Sequence, residues 1–203
     1  PGVERNPEHL TKPYGFYGES KLIGEELTKN ILVNTPWTII RPTLIWGPWH
    51  EILSQGLWKQ MKARRYLHPR GDKSVKGYGY VKNSVWQILK ILTGPDEAMN
   101  KKTLYLGDKN LQQIVWVDKF YREITGNSLR LVPKFYILAL SEFGELIAKI
   151  GVSFPIFRSR YKNMMTSNPV ALEETISLFG EPPYSLEESI VETVQWFKIN
   201  DSG

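Results

Sequence analysis

Tyr17 and Lys21 stand four residues apart in Pro13-Tyr-Gly-Phe-Tyr-Gly-Glu-Ser-Lys-Leu-Ile-Gly-Glu-Glu-Leu27. On a helix, positions i and i+4 share a face, so a phenol and an ammonium would point to one place. A free phenol titrates near about 10 and is a poor acid or base at neutrality. A neighbouring cation favours its ionised form, and a shift of roughly three units corresponds to about 4 kcal/mol. The chain contains three Tyr-x-x-x-Lys pairs. Tyr78/Lys82 lies in an alternating Tyr-Gly-Tyr-Val run, and Tyr105/Lys109 lies in Thr-Leu-Tyr-Leu-Gly-Asp, a strand ending in a turn. Only Tyr17 opens a helical pattern, with Leu22, Ile23, Leu27 and Ile31 as its apolar positions. By itself the spacing is also that of a surface Tyr–Lys contact on an ordinary helix, so the surrounding sequence has to decide.

The elements that must position this pair follow from hydrophobic period and punctuation. Residues 1–12 are polar, carry proline and read as loop. A helix over 16–33 is stopped by Asn34-Thr-Pro36. Thr38 to Trp46 is a near-continuous apolar run, expected to be one parallel strand covered on both faces. Helix over 52–64, helix over 85–92, strand over 103–106 and helix over 111–124 then alternate as in an α/β sheet. Asn168-Pro169 reads as an N-cap with proline at the first helical position and Gly180 as the stop. Ser185-Leu-Glu-Glu188 reads as the capping box of a last helix.

Composition bounds the class. The 203 residues are 41% hydrophobic and 23% charged, which suits a globular chain with a substantial core. The absence of cysteine excludes disulfides and thiolate chemistry and is compatible with a reducing cytoplasm, the expected location. His9, His50 and His68 lack metal-ligand spacing; no metal is expected, and each reads as a solvated loop residue. The net charge is +5, with Lys62, Arg64, Arg65, Arg70, Lys73 and Lys76 clustered. That cluster reads either as a solvated helix end and loop or as a site for substrate phosphates, for which Arg64, Arg70 and Lys76 are the candidates. Nucleic acid is not expected, since no recognised binding module accompanies the cluster. No apolar stretch is long enough to span a bilayer. The apolar segment 135–150 is expected to be a core or substrate-lid helix; as an interfacial membrane helix it lacks basic flanks in the sequence.

The Tyr17–Lys21 helix, followed by Thr38-Ile-Ile-Arg-Pro-Thr-Leu-Ile-Trp-Gly-Pro48, Lys76-Gly-Tyr-Gly-Tyr-Val-Lys-Asn-Ser-Val85 and the C-terminal Asn168 to Trp196 stretch, resembles the extended short-chain dehydrogenase/reductase family. That family includes nucleotide-sugar epimerases and dehydratases and the related hydroxysteroid dehydrogenase and dihydroflavonol reductase branches. The resemblance implies an α/β fold: an incomplete Rossmann-like parallel sheet from 1–50 and 77–126, interleaved with a mostly helical substrate-binding lobe from 51–76 and 127–203. It also implies Tyr17 as general acid/base and Lys21 as its partner and ribose ligand. Arg41, Pro42 and Thr43 would lie against the cofactor, NAD or NADP, with Arg41 reading equally well as a structural ion pair. Two features depart from the pattern. Trp46 stands where many relatives have tyrosine, and Lys82-Asn83 replaces a common acidic pair.

No Gly-x-x-Gly-x-x-Gly or Gly-x-Gly-x-x-Gly opens a helix, and no strand bearing the family's active-site Ser or Thr precedes Tyr17. The chain is therefore expected to be the C-terminal part of an NAD(P)-dependent nucleotide-sugar epimerase or dehydratase, inactive alone and weak or deficient in dinucleotide binding. A homodimer through the Tyr17–Lys21 helix is expected with it. The alternatives are a hydroxysteroid dehydrogenase- or flavonol reductase-like NADP reductase, and a non-catalytic binding protein that keeps a partial fold.

Overall fold

The computed structural model describes Glu4–Arg5, Thr11–Lys12, residues 15–148 and residues 158–201. In chain order the elements are β1 (Glu4–Arg5), β2 (Thr11–Lys12), α1 (Gly15–Ile31), β3 (Thr38–Pro42), β4 (Leu44–Trp46), a π-helical segment (Leu53–Trp58), α2 (Lys59–Lys62), β5 (His68–Pro69) and β6 (Val75–Tyr80). There follow α3 (Val81–Thr93), α4 (Asp96–Met99), β7 (Lys102–Leu106), β8 (Lys109–Gln112), α5 (Gln113–Thr125), β9 (Leu131–Val132), α6 (Lys134–Ala148), α7 (Arg158–Met165), α8 (Glu173–Phe179) and α9 (Leu186–Asn200). The fold is α/β, with short parallel sheets and a largely helical remainder. Among the described residues no helix is long and apolar enough to cross a membrane.

The chain forms two compact units, each assembled from three segments. The first comprises Pro1–Trp46, Gly77–Asn110 and Asn168–Ser185; the second comprises Gly47–Lys76, Leu111–Ser167 and Leu186–Gly203. Residues 111–126 thus group with the second unit and 168–185 with the first.

In the first unit β3 runs parallel to β7 with Ile40 opposite Leu104 and Pro42 opposite Leu106. Leu44–Trp46 pairs instead with β6, Leu44 opposite Tyr78 and Trp46 opposite Tyr80. The expected single strand over 38–46 is therefore two strands in different sheets, divided at Thr43. Proline at 42 has no N–H to continue a ladder, and the Thr43 N–H closes the β3–β7 pairing on the Leu106 carbonyl at 2.9 Å. Close approach here depends on glycine. A Cβ on Gly107 would sit 2.9 Å from Thr43 Oγ1, and one on Gly79 would sit 3.1 Å from the Gly107 Cα. Tyr105, Val170 and Leu172 bury together, with Ile176 against them.

Two expectations fail in this unit for long-range reasons. The helix read from Pro169 begins at Glu173, because residues 168–170 are drawn out straight. Gly77 donates to the Asn168 carbonyl at 3.1 Å. Asn110 donates to the Val170 carbonyl and accepts from its N–H, both at 2.8 Å. The supposed loop 1–12 contains the antiparallel β1–β2 pair, Glu4 opposite Lys12, so backbone pairing here follows no apolar pattern.

The second unit has an aromatic core. Trp58 stacks on Phe120 at 5.5 Å between centroids and meets Phe197 edge-on at 5.7 Å, while Trp116 lies 4.5 Å from Phe120. Trp58 arrives through the π-helical turn, where a regular helix had been expected over 52–64. Helix α5 ends at Gly126, whose φ of 70° allows its N–H to cap the Arg122 carbonyl at 2.8 Å. Helix α9 carries Glu187 and Glu188 in its first turn and Lys198 in its last, complementing the helix dipole.

Candidate functional site

Helix α1 presents Tyr17, Lys21 and Glu25 at i, i+4 and i+8, one stripe along its length. The Lys21 Nζ lies 5.4 Å from the centroid of the Tyr17 ring, and both side chains are exposed, Tyr17 at 76%. Glu25 ends the stripe by gripping Arg41 of β3 with both oxygens, Nε to Oε1 at 2.8 Å and NH2 to Oε2 at 2.5 Å. Arg41 NH1 donates to the Tyr105 hydroxyl at 2.8 Å, and its guanidinium lies 5.4 Å from that ring. The Glu25 carboxylate holds the Arg41 guanidinium well above its ordinary value, against the opposing effect of burial. The Tyr–Lys pair is thereby tied to the sheet through a charge-assisted fork. A second stripe, Phe16, Ile23, Leu27 and Ile31, is also exposed, and no residue of α1 is buried.

Pro42 ends β3 and is exposed, and Thr43, the next residue, sits among Gly77, Gly79 and Gly107. Gly77 and Gly79 precede a helix, but both are inside β6 and serve close packing, not a phosphate-binding turn. Arg41 therefore combines with Tyr17 and Lys21 within the first unit, while Arg64, Arg70 and Lys76 belong to the second. Arg64 and Arg70 are exposed. Lys76 Nζ donates to the Asn163 carbonyl at 2.8 Å; burial pushes its ammonium below its ordinary value, with the Asp72 charge opposing.

Three groups were not singled out from sequence. His68, expected in a solvated loop, is fully buried: Tyr66 Oη lies 3.0 Å from its Nδ1, and Asp72 Oδ2 lies 3.1 Å from its Nε2. Burial lowers the imidazole pKa and raises that of the Tyr66 phenol. Asp108, beyond β7, accepts the Tyr80 N–H at 2.7 Å, and burial pushes its carboxyl up to about 6. Glu25 had a signal available, its spacing of four from Lys21. For the buried groups only tertiary packing supplies one. Among the described residues no group of three His, Asp or Glu side chains is placed to hold a metal ion.

No family model matches the chain. A curated relative, N-acetyl-alpha-D-glucosaminyl-diphospho-ditrans,octacis-undecaprenol 4-epimerase of Escherichia coli O157:H7, is 25% identical over 210 residues, covering 95% of this chain and 60% of that protein. The fold is similar to that of UDP-glucuronic acid 4-epimerase from Bacillus cereus, solved in complex with UDP-glucuronic acid and NAD. The TM-score is 0.64 at 16% identity, over 97% of this chain and 56% of that one. In sequence the chain is similar to a sugar 4-epimerase, and in fold to a nucleotide-sugar epimerase. A second structure of similar fold is dTDP-glucose 4,6-dehydratase from Bacillus anthracis in complex with NAD, with a TM-score of 0.64, 15% identity and the same two coverages, 97% and 56%. The chain thus spans 60% of the length of its curated relative and 56% of each of these two structures. Asn83, one of the two residues that depart from the resemblance, has a packing role. Its side-chain amide donates to the Tyr184 carbonyl at 2.9 Å and accepts the Tyr184 N–H at 3.0 Å.

Proposed function

We propose that this chain supplies the acid/base pair and the substrate-facing cations of an NAD-dependent epimerase or dehydratase acting on a sugar linked through diphosphate. The observation that carries the reading is the exposed Tyr17–Lys21 pair on one stripe of α1, tied to the end of a parallel strand through Glu25 and Arg41. Ligands of α/β proteins gather at such strand ends. The names of the relatives supply the substrate class, since a nucleotide-sugar and a polyprenyl diphospho-sugar share a diphosphate on the sugar.

The residues present fit the nicotinamide end of the dinucleotide. Lys21 offers an ammonium to ribose hydroxyls, and Pro42 and Thr43 bring backbone to the strand end beside Arg41. They do not fit its pyrophosphate, for which no glycine-rich turn opens a helix in these 203 residues. A bound NAD would supply reversible hydride acceptance there. Tyr17, favoured as phenolate by the Lys21 ammonium, would accept the hydroxyl proton as the hydride leaves and so become the neutral phenol. Arg64, Arg70 and Lys76 are assigned to the diphosphate.

The test is turnover of a nucleotide-sugar by the protein that carries this chain, with and without Tyr17→Phe. A fall of about 10²–10⁴-fold with unchanged cofactor affinity is expected; near-normal turnover removes Tyr17 as the proton-transfer group. We also assign self-association to α1, through its exposed Phe16, Ile23, Leu27 and Ile31 stripe. Light scattering should then show a dimer that Leu27→Ser with Ile31→Ser dissociates, and a monomeric parent at high concentration would defeat this assignment.

A further inference from the structure

Helix α6 is inverted relative to an ordinary surface helix. Its inward positions include Ile137, Ser141 and Gly144, all buried. Its outward arc carries Phe135 at 63% exposure, Tyr136 at 55%, Phe143 at 53% and Leu146 at 62%, with Leu138 exposed beside them. The Phe135 and Tyr136 rings stack at 4.5 Å. An amphipathic helix usually turns this face to the core. At 15 residues, α6 is also too short to cross a bilayer.

Basic residues gather beside this helix. Helix α7 packs against α6 and exposes Arg158, Arg160 and Lys162, and Lys134 opens α6 itself. Glu142, on the outward arc, is held by Arg158 through two bonds of 2.5 Å. The two helices together carry these four cations against two acids, Glu142 and Glu145.

We propose that the α6 face and the α7 cations form a docking surface for an anionic phospholipid bilayer, with α6 lying in the plane of the interface. Aromatic and leucine side chains on one face beside lysine and arginine are the composition of interfacial helices. An anionic headgroup layer also complements the α7 cations, at about 1 kcal/mol per basic residue near such a surface. A second copy of the chain fits less well, since a two-fold contact through α6 would bring two sets of α7 cations together. The surface stands apart from the catalytic reading, and its test needs neither cofactor nor sugar.

The experiment is co-sedimentation of the 203-residue chain with phosphatidylcholine vesicles and with mixed phosphatidylglycerol–phosphatidylcholine vesicles, across a salt series. The expected result is binding to the anionic vesicles alone, weakened by salt. It should fall about tenfold or more in Phe135→Ser with Leu146→Ser, and again in Lys134→Glu with Lys162→Glu. All four side chains are exposed, so circular dichroism should show the fold retained. If a variant fails to fold, the lipid and salt dependence of the parent chain decides. The proposal is overturned by no sedimentation with anionic vesicles at low salt, by equal binding to both vesicle types, or by folded variants that bind like the parent. Dimers dissociated by Phe135→Ser with Leu146→Ser would assign the face to a second copy instead, and the lipid proposal would fall.

Discussion

Helices α1 and α5 contain similar numbers of large apolar residues, six and seven, and dispose of them in opposite ways. Helix α5 buries Trp116, Val117, Phe120 and Tyr121 in the aromatic core of the second unit. Helix α1 buries none of its residues and meets β3 through the Glu25–Arg41 fork. Dispersion and water exclusion hold the first element, so any loss of volume there is felt as stability. A few directed polar contacts position the second, whose exposed side chains are available for chemistry and association. Substitutions in the two helices should therefore separate cleanly into stability effects and activity effects.

The widest separation is between Phe120→Ala and Tyr17→Phe. The first should lower stability by about 3–5 kcal/mol, as aromatic truncation in a packed core does. The second should leave stability within about 0.5 kcal/mol while turnover falls about 10²–10⁴-fold. Denaturant melts and steady-state rates on both variants check this, and a substantial stability loss in Tyr17→Phe would break the contrast.

The two units should also differ in their response to acid. Asp108, in the first unit, has its carboxyl raised from 3.8 to about 6 by burial. Between those values the folded state holds more proton than the unfolded one, so this group's contribution falls as pH rises, by at most about 3 kcal/mol. His68, in the second unit, has its imidazole lowered by burial. The unfolded chain takes up that proton first, so the His68 contribution falls as pH drops below about 6.5. Hydrogen exchange in each unit across this range, with Asp108→Asn and His68→Gln as controls, should show opposite slopes, each flattened only by its own variant.

A smaller effect sharpens the account of α1. Arg41→Ala should cost about 2 kcal/mol, because it leaves Glu25 and the Tyr105 hydroxyl without their donor. A double-mutant cycle with Glu25→Ala should return a coupling of about 1 kcal/mol or more; independent effects would mean that the fork does not position α1. The smallest effect is expected at Lys102–Glu174, an exposed pair at 2.5 Å. Removing either partner should change stability by less than about 1 kcal/mol, and a melt shows whether it does.

Much of this organisation is local and was legible in the residues. Tyr17 and Lys21 are neighbours through helix periodicity alone, and α3, β7 and α5 follow from apolar period and glycine or proline punctuation. The failures share one cause, groups brought together across long stretches of chain. Asn168-Pro169 has the composition of a helix start, yet Asn110, 60 residues from Val170, takes up the backbone groups a first turn would use. The strand 38–46 looks uniform because its two halves are both apolar, and only their partners, β7 and β6, distinguish them. His68 looks like a loop residue until Tyr66 and Asp72 close on it. Arg41 is an intermediate case: an ion pair was one of its two readings, but Glu25 could be named only once α1 was set beside β3.

The interleaving of segments has a consequence for synthesis. The β3–β7 pair can form once Leu106 has left the ribosome, yet Thr175, whose hydroxyl bonds the Tyr105 carbonyl at 2.7 Å, is made 70 residues later. Most of the second unit's sequence is translated during that delay, and its own last helix follows Ser185. Neither unit matches a contiguous stretch of message, so vectorial folding, N-terminal domain first, is closed to this chain. The nascent polypeptide must therefore carry an open-faced strand pair while the residues between Leu106 and Thr175 are made.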